Sequence, residues 1–147
     1  MLLPKSDYLQ SRLAEYLTAA ELTKQGLIVA VTSRNAPDVD LLVTDISCRK
    51  AWSVQVKKNS GLHRYWPAGE RAKEISSDSH VYVFVLLYKD DREPEYFVVP
   101  SHIVATHVQG LGSDNGFPVS AAQPYKDGWA LFNAGSAGGS GEPAPLA

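Results

Sequence analysis

The chain has 147 residues, 44% hydrophobic and 20% charged, which is the make-up of one globular domain and excludes a disordered or fibrous chain. A formal net charge of -2 excludes an all-over basic nucleic-acid coat. Cys48 is the only cysteine, so an intrachain disulfide and a thiolate metal cage are excluded, and no run approaches the ~20 apolar residues of a membrane span. The compartment expected from this cysteine usage is a reducing cytoplasm.

Ser6 or Asp7 is placed to cap a first helix running to about Lys24, with Gly26 as its stop. Leu9, Leu13, Tyr16, Leu17 and Ala20 fall at helical spacing and predict the buried stripe. Three strand-like runs follow, Leu27–Thr32, Val39–Thr44 and Ala51–Lys57. The polar turn Asp45–Lys50 between the last two predicts an antiparallel hairpin. A loop containing Trp66-Pro67 leads to a short helix expected around Glu70–Ile75, then to strands Val81–Tyr88 and Tyr96–Val99. Ser101 opens a further predicted helix through Gln109, ended by Gly110. Residues 117–132 form a mixed segment whose Trp129, Leu131 and Phe132 are expected to pack back on the core. Residues 1–133 therefore read as one domain, and the Gly/Ser/Ala/Pro stretch 134–147 as a disordered tail. This order predicts an α/β sandwich with a central mixed sheet of about five strands flanked by helices.

The informative pair of strands is Val39-Asp40-Leu41-Leu42-Val43 and Ala51-Trp52-Ser53-Val54-Gln55-Val56-Lys57. Alternation puts Ser53, Gln55 and Lys57 on one face and Trp52, Val54 and Val56 on the other. An acid, an amide oxygen and a lysine at the ends of adjacent strands are the groups that can hold a hard cation and its water against a phosphate. Asp40, an acid inside an apolar run, needs a partner or a site if it is buried. Gln55 and Lys57 also fit the plain polar face of an edge strand. Between Ile46 and Lys73 the basic residues Arg49, Lys50, Lys57, Lys58, Arg64, Arg71 and Lys73 face a single acid, Glu70, a net +6 within an acidic chain.

Together with Leu13-Ala14-Glu15-Tyr16-Leu17 on the first helix, these motifs resemble the PD-(D/E)XK nuclease superfamily. That is the restriction-endonuclease-like fold of Holliday junction resolvases and of small bacterial members. The resemblance spans about Ser6 to Phe132. It implies a Mg²⁺- or Mn²⁺-dependent DNA endonuclease that hydrolyses phosphodiester bonds. Asp40, Gln55, the Val56 backbone carbonyl and Glu15 would hold the metal, Lys57 would be catalytic, and Lys58, Arg64, Arg71 and Lys73 would contact nucleic acid. Partners would be DNA and a second copy or a larger complex. Gln55 stands where the superfamily pattern has an acid, which keeps an oxygen but removes a charge. The alternative is therefore a degenerate nuclease fold kept as a nucleic-acid-binding or protein-interaction module.

Physics alone gives Glu15 a solvated helix face, because its angle lies away from the Leu9/Leu13/Leu17 stripe, with Glu21 as a fallback acid on the surface. Asp38 reads as a cap of the loop after Pro37. The four histidines share no metal-ligand spacing, and Gly110-Leu111-Gly112 lacks the strand and helix of a dinucleotide loop. Tyr65 and Trp66, beside Arg64 and Arg71, suit either base stacking or a loop anchor.

Overall fold

The computed structural model describes residues 1–111 and 114–133; the stretch 134–147, read above as a tail, lies outside them. Helix α1 spans Asp7–Lys24, with Ser6 Oγ accepting from Leu9 N at 3.3 Å and the charges of Asp7 and Lys24 opposing the helix dipole at either end. Gly26, at φ 88°, makes the left-handed step that turns the chain into the sheet. The buried residues of α1 are Gln10, Ala14, Thr18 and Leu22, not the expected stripe. Leu9 and Tyr16 are about half exposed, at 50% and 53%. Small Ala14 and Thr18 let the helix lie close on the sheet, so the contact face is chosen by fit and by the polar bonds of Gln10 rather than by apolar count.

Strands β1 (Ile28–Val31), β2 (Leu41–Thr44) and β3 (Ala51–Asn59) form an antiparallel meander, with Leu41 opposite Val54 and Val43 opposite Trp52. After β4 (Tyr65–Pro67) the chain returns as β5 (His80–Leu86), parallel to β3, and β6 (Glu95–Pro100) closes the sheet antiparallel to β5. The strand order is β1-β2-β3-β5-β6, the expected mixed five-stranded sheet. Every residue of β5 is buried, because the sheet is covered on both faces there.

On one face α1 and the short turn of helix Trp129–Phe132 cover Leu41, Val43, Val54 and Val83. On the other, α2 (Ser101–His107) and α3 (Val119–Ala122) pack with a second sheet against Tyr82, Phe84 and Phe97. That second sheet joins β4, β8 (Asp114–Pro118) and β7 (Gln109–Leu111). Trp66 pins it to the main sheet: fully buried between Phe84 and Phe97, it donates from Nε1 to the Val85 carbonyl at 3.0 Å.

Two expected helical stretches differ. Residues 70–75 form turns and not a helix, entered from Gly69 at φ 99°. The helix opened by Ser101 stops at His107, and Gln109 is already in β7, since Val108 is extended at ψ 145°.

Candidate functional site

Asp40 immediately precedes β2, and its backbone N–H still bonds to the Val54 carbonyl at 2.8 Å, which fixes it at the end of the β2–β3 ladder. Its Oδ2 accepts from Val56 N at 2.8 Å and from Gln55 Nε2 at 2.9 Å. An acid in an apolar run is thus satisfied by two donors from the neighbouring strand. In a strand the N–H and C=O of one residue face the same edge, so the Val56 carbonyl is turned to Asp40's side, beyond the last β2 pair, Leu41 with Val54. Gln55 is buried, and its Oε1 has no hydrogen-bond partner. Lys57 is half-buried two residues along β3 on the same face as Gln55, and its side chain makes neither hydrogen bond nor ion pair among the described residues.

Glu15 comes to this cluster from α1. Its side chain is only 12% exposed and accepts from Arg12 Nη1 at 2.7 Å, so the solvated-face expectation fails. Burial, then the charge of the adjacent Asp40 carboxylate, raises its pKa to about 7, against the lowering pull of Arg12. The physical reading of the helix misplaced Glu15 because it misassigned the buried face. Arg12 was not singled out, although its i,i+3 spacing from Glu15 was a readable signal.

The basic residues are not equivalent. Lys58 is ion-paired with Asp7 and donates to Gln10 Oε1 at 3.2 Å, so its ammonium ties β3 to the first turn of α1. Arg71 bonds Asp38 Oδ2 at 2.9 Å; Asp38, at φ 59°, therefore joins two loops and does not cap its own. Arg64 and Lys73 are exposed, with no side-chain partner among the described residues. Trp66 is the buried anchor described above, whereas Tyr65 is half-buried with its hydroxyl on Gln109 at 3.2 Å. His80, also buried, shares a 2.6 Å bond with Ser53 Oγ through Nδ1 and leaves Nε2 unpartnered.

Hard divalent cations prefer oxygen donors, two carboxylates or fewer, and retained water. Among the described residues no group of three His, Cys, Asp or Glu side chains that could hold a metal comes together. The donor set here is instead two neighbouring carboxylates, Asp40 and Glu15, with the orphaned oxygen of Gln55. That set fits a hard cation, whose charge would relieve the crowding of two acids.

The architecture, a mixed five-stranded sheet with α1 on one face, Asp40 just before β2 and Gln55–Lys57 within β3, is the restriction-endonuclease-like fold. The solved structures it resembles include that of a bacterial homing endonuclease, I-Ssp6803I, at a TM-score of 0.60 and 19% identity over 90% of this chain and 95% of that one. They also include Hjc, a Holliday junction resolvase from the archaeal hyperthermophile Archaeoglobus fulgidus, at a TM-score of 0.52 and 14% identity over 80% and 89%. No protein-family model matches the sequence, and no curated protein is significantly similar to it.

Proposed function

We propose that this chain is a divalent-metal-dependent DNA nuclease that hydrolyses phosphodiester bonds. The observation that carries the reading is the meeting of Glu15 from α1 with Asp40, which Gln55 bonds from the next strand, with Lys57, its side chain unpaired among the described residues, two positions further along β3. In this reading Asp40, Glu15, Gln55 Oε1 and the Val56 carbonyl hold Mg²⁺ or Mn²⁺. The bound ion supplies Lewis-acid polarisation of the phosphate and a more acidic water. The Val56 N–H and the Gln55 amide hold Asp40 in one rotamer. Lys57 offers a fixed positive charge to the phosphoryl oxygens as negative charge builds on them. Glu15, held by Arg12 next to Asp40, adds the second carboxylate to that set. Exposed Arg64 and Lys73 contact backbone phosphates. The likeness to a homing endonuclease and a junction resolvase supports a DNA substrate.

One observation favours the module reading instead. Gln55 presents its amide nitrogen to Asp40, which engages Asp40 Oδ2 without any cation. Calorimetric titration of Mn²⁺ and Mg²⁺ into the wild type, Asp40→Ala and the better-tolerated Asp40→Asn separates the two. Saturable binding lost in both variants, with plasmid cleavage lost in Lys57→Ala, supports the nuclease. A wild type that binds neither ion, with or without DNA, and leaves plasmid intact supports the module.

A further inference from the structure

The outer face of α1 exposes two tyrosines, each engaged by an arginine. Tyr8 and Tyr16 are 49% and 53% exposed, although neighbouring small residues are buried. With Arg12 they fall at i, i+4 and i+8, one stripe along the helix. Each ring is met by a guanidinium: Arg34 from the β1–β2 connection lies 5.0 Å from the Tyr8 centroid, and Arg12 lies 5.2 Å from that of Tyr16. Arg12 also joins the stripe to the candidate site, donating to Glu15 Oε2 at 2.7 Å and to the Tyr16 hydroxyl at 3.1 Å.

From this we infer that Tyr8, Arg12, Tyr16 and Arg34 form a stacking rail for unpaired nucleotides of the strand that enters the site, an inference that rests on the DNA-nuclease reading. Alternating aromatic and guanidinium groups are what a single strand requires, because rings take bases of any identity and cations take the phosphates between them. Asp7 is paired with Lys58, and Glu15 takes only the Nη1 side of Arg12, whose Nη2 lies on the Tyr16 hydroxyl. Arg34 makes no ion pair among the described residues and can meet a phosphate. Eight residues of helix separate the two rings by about 12 Å. Bases in a duplex repeat at about 3.4 Å and are sealed within the stack. Rings at the wider spacing suit a strand that is opened out, so the substrate class is DNA with a single-stranded segment next to the scissile bond.

The test uses the full chain in EDTA and fluorescence anisotropy of three labelled probes: a single strand, a blunt duplex, and that duplex with a single-stranded overhang. The variants are Tyr8→Ala/Tyr16→Ala and Tyr8→Phe/Tyr16→Phe, with circular dichroism confirming the fold. The expected result is a loss of about tenfold or more for the single strand and the overhang with the alanine pair. Blunt-duplex binding stays unchanged, and the phenylalanine pair retains wild-type affinity. Equal losses on all three probes, or no loss, overturn the rail; a wild type that binds none of them overturns it and leaves the face to a protein partner. Tyrosine-dependent single-strand binding without any Asp40-dependent cleavage keeps the rail and rejects the nuclease. Asp40-dependent cleavage with single-strand affinity indifferent to the tyrosines does the reverse.

Discussion

Replacing Glu15 by Gln should stabilise the metal-free protein at alkaline pH, although it deletes an ion pair. Folding takes the Glu15 carboxyl from an ordinary value of 4.5 to about 7, chiefly because the site is buried and then because Asp40 is adjacent. For an acid raised in this way the folded state holds the proton more tightly than the unfolded chain. The contribution is fully present below pH 4.5 and is lost as the pH rises through about 7. The span between the two values corresponds to about 3 kcal/mol as a ceiling. The value of about 7 is already net of the pull of Arg12, so after screening by solvent Glu15→Gln should gain about 2 kcal/mol at pH 8.5, or about 6 °C in Tm. At pH 4.5 a protonated Glu and a Gln are nearly isosteric, and the two proteins should match. Urea unfolding of both proteins in EDTA at the two pH values reads the difference directly. Burial lowers the pKa of His80, which makes stability fall on acidification, but that contribution is common to both proteins and cancels in the comparison. A Glu15→Gln protein that is no more stable than wild type at pH 8.5 would refute the crowded-carboxylate argument.

Two further outcomes test the scaffold. Asn59 is buried and clasps the following loop, donating to the His63 carbonyl at 2.7 Å and accepting from His63 N at 3.1 Å. Asn59→Ala strands both backbone groups and should cost about 2–3 kcal/mol in urea unfolding, with faster amide exchange at His63, whereas Asn59→Asp should keep the bond from His63 N. Trp66→Ala should cost about 3–5 kcal/mol, and Trp66→Phe about half of that, because the smaller ring still fills space but gives up the bond to the Val85 carbonyl. Thermal unfolding in which Trp66→Ala matches wild type would show that the second sheet is not anchored there.

The main sheet was legible because its strands are apolar runs of four or more residues separated by polar turns, as in Val81–Leu86 and the Asp45–Lys50 hairpin. The second sheet was not. Gln109-Gly110-Leu111 and Asp114-Asn115-Gly116-Phe117-Pro118 carry turn-forming residues, and only tertiary packing over Phe84 and Phe97 makes strands of them. At the site, Asp40 stood out as an acid among aliphatic residues, and strand alternation paired Gln55 with Lys57. Glu15 was reached only through the superfamily resemblance, because counting apolar residues on α1 pointed to the wrong face. That Lys58 is engaged by Asp7 and Gln10 was beyond a one-dimensional reading, since those partners lie 51 and 48 residues away.

The parallel pairing of β3 with β5 has a consequence for synthesis. Every residue of the candidate site, from Glu15 to Lys57, leaves the ribosome before the strand that buries the far edge of β3. Ser53 and its partner His80 are 27 residues apart, which translation at about 5–20 residues per second covers in roughly 1–5 s. During that interval the β1–β3 meander presents a long, apolar, unpaired edge on which any other nascent strand can dock. Fusions whose translation stalls once Asn59 but not His80 has left the ribosome should therefore show the protein at its most aggregation-prone.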